Sequence, residues 1–585
     1  MMRILLLASA FNSLTQRVFA ELRDLRHTVS VELALGDDQR LTSTVRRHAP
    51  ELVLAPMLTT AVPEEIWSAY PCLIVHPGPP GDRGPSSLDR AVQQGVERWG
   101  VTVLQAVAEM DAGPVWASAD FAVPPDIGKS DLYRGELADA ALRAVLLAVD
   151  RFASGSYAPV MPSAHTWQPY LRQEERRIDW AHDTTATVLR KLRAADSRPG
   201  VLDSFLGGEW YLHGGHPEPH LTGTPGEFLA TRHGAICRAT VDGAVWIPEL
   251  RPRRRPGGPA TIKLPAAQAL PEGRGRPSTT GSRHPTGGSY ADITYEEQGT
   301  VGFLRFRFPG GAMNTDQCRR LLAAYRHART RPVDLVVLGG RRDFFSNGIH
   351  LNVIEAAPDP AAESLANIEA IDDLVEEILT TTDRLVVAAL PGNAAAGGAM
   401  LALAADEVWC RGGAVLNPHY RLMGLYGSEY WTYTLPRRVG PAVAARLTEE
   451  ALPLTATAAR ALGLVDRVVE CAPGEFEGEV ARMAAQLARS AGLPARLGVK
   501  KAARERDETV HPLSAHRAAE LRRMRAVFDD PAAPYHALRS AFVRKRRPHA
   551  TPDHLRAETP DHLRTEPGHL RTEPDHLRMD CPNGE

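Results

Sequence analysis

At 585 residues the chain is several times longer than one ordinary domain, so three or four folded units are expected. A hydrophobic share of 43%, a charged share of 24% and a formal charge of -2 give no sign of a nucleic-acid or membrane partner. Six scattered cysteines without a CxxC pair offer neither a disulfide framework nor a zinc ribbon, and fit a reducing cytoplasm.

The apolar start MMRILLLASAF runs straight into polar NSLTQR; it lacks the length of a secretory leader or membrane span and is expected to be the first strand. From there to about Val123, short apolar runs (RILLLAS, VSVELAL, LVLAP, CLIVH, VTVLQAV) alternate with helical segments (TQRVFAELRDLRH, SSLDRAVQQGVERWG). That alternation predicts a doubly wound α/β unit. A helical stretch, TTATVLRKLRAAD, then precedes the strand candidates EWYLHG, GEFLATR, AICRATV and AVWIPEL, which predict a small β-rich, barrel-like unit. Residues 251–289, dense in Pro, Gly and Arg, read as a linker. A second α/β unit follows, with VGFLRFRF, LVVLGG and LVVAAL as strands and Ala-rich helices between them. The end repeats PDHLR-like units at spacings of 8, 7 and 7 residues. Their histidines, His554, His562, His569 and His576, resemble a metal tract, but each unit holds Pro and little apolar surface, so a disordered tail and no metal centre are expected.

Within LIVHPGPPGDRGPSS, an apolar strand ends in His76 and a Pro/Gly loop isolates it. Carboxyl ends of strands face the ligand crevice of open α/β sheets, so His76 is a candidate acid or base, the alternative being a structural histidine. Asp111, after the strand-like GVTVLQAVAEM, is placed to hold that imidazole. Together HPGPPGDRGPSS and MDAGPVW resemble the active-site loops of the formyltetrahydrofolate-dependent formyltransferases, over roughly residues 1–250. The resemblance implies N10-formyltetrahydrofolate as donor, with His76 and Asp111 at the family's His and Asp positions. The family's Asn, two residues before the His, is Ile74 here. Loss of such an oxyanion donor costs ~3 kcal/mol elsewhere, so a different acceptor or rate is expected. Arg83 is a candidate for an anionic group of the donor, against the alternative of a surface cation.

DLVVLGGRRDFFSNGIHL and VVAALPGNAAAGGAMLALAADEV each place glycine between an apolar strand and a helical run, where backbone N–H groups can face an anion. With NPHYRLMGLYGSEYWTYTLPRRVG they resemble the crotonase, or enoyl-CoA hydratase/isomerase, superfamily. That resemblance implies a thioester oxyanion hole formed by the amides of Ile349 and Gly397. It also places Met400 and Tyr420 where the hydratases have their two glutamates. Methionine cannot move a proton, so hydration is not expected. Tyr420 and Glu429 remain for proton handling.

A formyl-donor site and an acyl-CoA cradle in one chain point to formyl-CoA. The combination, with SAFNSLTQR at the start, resembles HypX (HoxX), a family of NiFe hydrogenase maturation factors. It implies formyl transfer to CoA, decarbonylation to carbon monoxide, and maturation proteins as partners. CoA contacts are then expected from Gln16, Arg134 and Ser197. Alternatives are a formyltetrahydrofolate hydrolase or formyltransferase with a CoA-binding regulatory domain, and a non-catalytic folate and CoA carrier. The expected units are 1–165 (formyltransferase, Rossmann-like), 166–250 (β-rich), 251–289 (linker), 290–545 (crotonase-like α/β) and 546–585 (tail).

Overall fold

The structure, a computed structural model, describes residues 1–271 and 288–556. Arg3–Ala8 (β1), Thr28–Leu33 (β2), Leu52–Pro56 (β3) and Cys72–His76 (β4) form parallel strands. Arg98–Gln105 (β5) and Val115–Ala122 (β6) extend them antiparallel, in the order β2-β1-β3-β4-β5-β6. β1 and β3 are almost wholly buried because helices cover both faces. Helix Ser13–Asp24 (α1) starts where the Asn12 side chain accepts from Thr15 N–H, and Glu136–Ser154 (α2) packs Leu137, Ala141 and Val145 into the same core. The segment SSLDRAVQQGVERWG is helical only over Ser87–Gln94; Gly95, at φ +69°, ends it, and Arg98 to Gly100 already belong to β5.

The β-rich unit is two four-stranded sheets packed on helix Thr185–Ala194. It extends further than the composition suggested. Glu249–Pro252 pairs with Gly208–His213, Leu264–Pro265 adds to that sheet, and Ala266 and Leu270 are buried in its core. The linker therefore does not begin at Arg251: a few apolar residues among the prolines and arginines suffice to hold 251–270 in place. Residues 272–287 lie outside the described residues.

In the last unit, Ile293–Gln298 and Val301–Phe306 form a hairpin, and Leu335–Gly339, Leu385–Leu390, Glu407–Arg411 and Arg467–Val469 continue it in parallel. A second small sheet orders Phe344–Ser346, Asn393–Ala395, Val415–Asn417 and Leu454–Thr455. Helices Leu493–Val510, Leu513–Asp529 and Pro534–Val543 close the unit.

Buried ion pairs join the two α/β units. Arg411 reaches Asp139 at 3.0 Å, Arg17 shares that carboxylate at 2.5 Å, and Arg341 binds Asp131 at 2.8 Å. The start of the expected tail is also ordered. Thr551 and Leu555 are each 2% exposed, and Leu555 lies in the core of the first unit. Residues 557–585, with His562, His569 and His576, lie outside the described residues.

Candidate active site

His76 ends β4, and the following loop folds back on it. Gly78 permits this: a Cβ there would overlap both the Asp82 carboxylate and the His76 ring. Asp82 Oδ2 thereby comes within 2.8 Å of His76 Nε2, while Asp111 Oδ2 lies 3.5 Å from Nδ1. Asp111 has a left-handed backbone, φ +56°, and its Oδ2 accepts from Gly84 N–H at 3.2 Å. The ring, 3% exposed, is thus held between two carboxylates from opposite sides. Asp82 was not foreseen from the sequence; its signal was the pair of glycines, Gly78 and Gly81, that lets a six-residue loop close on the histidine. Ile74 packs against the cluster of Leu5, Leu7 and Cys72, and offers no donor.

Arg83 is not a surface cation. It is 9% exposed, donates from Nε to Met110 O at 3.0 Å, pairs with Glu109 at 2.8 Å and lies over the Trp167 ring. Those contacts hold the loop that carries Asp111.

The second site is assembled by the small sheet. Its three parallel strands lead, one after another, into the segments carrying Ile349, Gly397 and Tyr420, with Ser346 registered on Ala394 and Ala395 on Asn417. Ala396, at φ +48°, aims the first amides of helix Gly397–Leu403 outward. A Cβ on Gly348 would lie 3.1 Å from Gly397 N, so the two amide-bearing segments are in contact. Among the described residues, neither the Ile349 nor the Gly397 amide has an acceptor. Two adjacent free N–H groups are what an oxyanion requires. Met400 is buried in the core below, 1% exposed.

Tyr420 and Glu429 meet at this recess. The tyrosine O–H donates to Glu429 Oε2 at 2.5 Å, and a Cβ on Gly397 would overlap the Glu429 carboxylate. Burial, then the Glu429 charge, pushes the Tyr420 hydroxyl well above its ordinary range; burial also raises Glu429, against the hydrogen bonds from Tyr420 and Ser428. Glu429 and Tyr430 both have left-handed backbones, φ +62° and +56°. Two further buried carboxylates hold that strained turn. Asp372 accepts from Glu429 N–H at 2.8 Å; Glu520 accepts from Tyr430 N–H and Thr432 N–H, each at 2.9 Å. Burial lifts Asp372 well above the usual carboxylate range and Glu520 to about 7. Neither was picked out from the sequence, although an acidic residue at a core position of the helix Pro360–Leu379 was a readable signal.

Of the residues expected to hold CoA, Arg134 reaches across to the second α/β unit, donating to Asp343 at 3.0 Å and covering the Phe344 ring. Gln16 Nε2 donates to Phe11 O at 3.0 Å, and Ser197 sits at φ +67° beside Arg198. Lys545, unanticipated, is pushed down to about 8 by burial and by the charges of Arg198 and Lys263. Lys263 is already paired with Glu249, at 2.5 Å, and Lys545 lies over the Phe542 ring.

The formyl transferase family matches residues 9–149, the formyl transferase C-terminal domain residues 170–260, and the enoyl-CoA hydratase/isomerase family residues 296–551. The hydrogenase maturation factor HoxX of Bradyrhizobium diazoefficiens is 48% identical over 552 residues, 93% of this chain and 95% of that protein. A methionyl-tRNA formyltransferase of Roseiflexus castenholzii is 29% identical over 254 residues, covering 42% of this chain and 71% of that enzyme. The crystal structure of HypX from Aquifex aeolicus in complex with tetrahydrofolic acid aligns with a TM-score of 0.92 at 42% identity, over 97% of this chain and 100% of that one.

Proposed function

Because the chain belongs to the HoxX and HypX family of hydrogenase maturation factors, we propose that it moves the formyl group of N10-formyltetrahydrofolate to the sulfur of CoA and decarbonylates formyl-CoA. The carbon monoxide so released would serve the active site of a NiFe hydrogenase, with other maturation proteins as partners in the cytoplasm. The observation that carries the reading is the Tyr420–Glu429 pair beside two free amides, where the hydratase glutamates are absent.

In the first site the thiol attacks the formyl carbon beside the His76, Asp82 and Asp111 cluster, which takes its proton. The carbon–nitrogen bond breaks and the folate nitrogen receives a proton. CoA is held by Gln16, Arg134 and Ser197, with Lys545 as a further cation for its phosphates, and the pantetheine arm carries the formyl group between the sites. In the second site the Ile349 and Gly397 amides hold the formyl oxygen. Tyr420 is kept as O–H by burial and by its neighbour, so Glu429 is the group that accepts the formyl proton. The carbon–sulfur bond breaks with its electron pair on sulfur, the proton passes to the thiolate, and carbon monoxide leaves. No oxidant or reductant is consumed.

The test supplies labelled N10-formyltetrahydrofolate and CoA to the purified protein and reads carbon monoxide with a haem reporter. His76→Ala is expected to lose carbon monoxide from the folate donor and to keep it from supplied formyl-CoA. Tyr420→Phe is expected to accumulate formyl-CoA. Label recovered in formate with none in carbon monoxide would overturn the proposal in favour of hydrolysis.

A further inference from the structure

The amide of Ile349 and the Tyr420–Glu429 pair come from segments far apart in sequence, yet one helix touches both. Pro360–Leu379 turns Ser364, Asn367 and Asp372 into the core together with Ile368, Ile371 and Val375. The three polar side chains are each 0% exposed. Burying a polar group is costly unless it is hydrogen-bonded, so their partners identify what the helix holds.

Asn367 is bonded to the oxyanion segment. Met313 and Ile349 form an isolated parallel bridge, in which Met313 N–H donates to Gly348 O at 2.8 Å. The Asn367 carboxamide spans the other side of that bridge: Oδ1 accepts from His350 N–H at 3.1 Å, and Nδ2 donates to Met313 O at 3.0 Å and to Cys318 Sγ at 3.7 Å. The orientation of the carboxamide is fixed by its neighbours, since a backbone N–H can only donate and a carbonyl can only accept.

Ile349 therefore has a held peptide plane on each side. In the first, the Gly348 carbonyl and the Ile349 N–H point in opposite directions, so the bond from Met313 turns the Ile349 N–H away from residue 313. In the second, Asn367 holds the His350 N–H. Ile368, the next residue of the helix, packs in the cluster that Ile349 and Leu351 join. Five residues beyond Asn367, about 7.5 Å along the helix axis, Asp372 accepts from Glu429 N–H at 2.8 Å.

We propose that Asn367 is a positioning residue of the oxyanion hole, and that helix Pro360–Leu379 sets the Ile349 amide against the Glu429 carboxylate by holding the first through Asn367 and the second through Asp372. An amide fixed in both flanking planes needs no reorganisation when charge develops on the thioester oxygen. The inference rests on the thioester reading of the second site, but not on decarbonylation.

The experiment uses acetyl-CoA, which presents a thioester but has no formyl proton to lose. Isotope-edited infrared difference spectra, with the label at the thioester carbon, read how strongly the full-length protein polarises the bound carbonyl. The parent is expected to lower the stretching frequency from that of free acetyl-CoA. Asn367→Leu, which fills the same space without the bonds, is expected to bring it back toward the free value. Asn367→Asp at pH 6 is expected to keep it lowered, because burial holds the carboxyl neutral and able both to accept from His350 and to donate to Met313. Ser364→Ala breaks the bond from the same helix to the Tyr535 hydroxyl and is expected to leave the frequency as in the parent. A frequency equally low in the parent and in Asn367→Leu would overturn this inference alone, whereas one not lowered in the parent would overturn the oxyanion hole with it. Equal losses in Asn367→Leu and Ser364→Ala would reduce Asn367 to a packing residue. Loss of the lowered frequency in folded Asn367→Asp would overturn the inference even if the leucine variant does not fold.

Discussion

Replacing Tyr420 by Phe removes one hydroxyl and leaves the ring that packs against Gly427. The hydroxyl is the donor to Glu429 Oε2 at 2.5 Å, inside a site where both side chains are buried. A hydrogen bond to a charged group contributes about 1.5–3 kcal/mol, which corresponds to a roughly 10- to 150-fold fall in the decarbonylation rate if that bond is used in the transition state. The same bond lowers the Glu429 pKa against the burial that raises it, so its loss pushes the carboxyl further up. Two consequences follow with fixed sign. Glu429 must be ionised to act as base, so the acid limb of the pH–rate profile moves to higher pH in the variant. A carboxyl raised on folding contributes stability that is lost as pH rises through its folded-state pKa, so the variant is destabilised more at pH 8 than at pH 5. Carbon monoxide release from supplied formyl-CoA across pH 5–9, with urea unfolding at the two extremes, reads both. A rate within twofold of the parent and an unmoved acid limb would refute the role given to the pair.

Asp139→Ala leaves Arg17 and Arg411 facing each other without their shared carboxylate; the expected loss is about 3 kcal/mol, read by urea unfolding. Gly78→Ala forces a Cβ into the Asp82 carboxylate, and should abolish formyl transfer while turnover of supplied formyl-CoA persists. CoA affinity should fall as pH rises through about 8, where Lys545 loses its proton, and Lys545→Arg should flatten that fall in calorimetric titrations between pH 7 and 9.

The strands were legible because each is a short apolar run ended by Gly, Pro or a charged residue, and the expected runs at Arg3, Leu52 and Cys72 are all strands. His76 was picked out at a strand end and Asp111 after a strand-like run, whereas Tyr420 and Glu429 were reached only through the crotonase resemblance. What held them was not legible. Asp82 reaches His76 through a loop closure that depends on a missing Cβ at Gly78. Asp372 and Glu520 come from helices 57 and 91 residues away from Glu429 in sequence, and no local pattern links them. Composition also misled at both ends of the linker question. Leu264, Ala266 and Leu270 anchor a stretch that its prolines and arginines disguise, and one leucine per repeat suffices to dock the first PDHLR unit.

The burial of three carboxylates around one turn bears on why, under the proposed reaction, water is not added to a thioester. A hydratase needs its glutamates solvated enough to activate water. In this chain one of those positions is Met400, closed into the core, and the other is a tyrosine whose partner Glu429 is sealed behind the Asp372 and Glu520 contacts. Hydrogen bonds from backbone N–H groups tie Asp372 through Oδ1, and Glu520 through both oxygens, to the turn they hold. Glu429 alone combines a raised pKa with a place against the free amides. Under the proposed reaction, that is the requirement for removing a proton from a formyl group, which brings its own proton and needs no water.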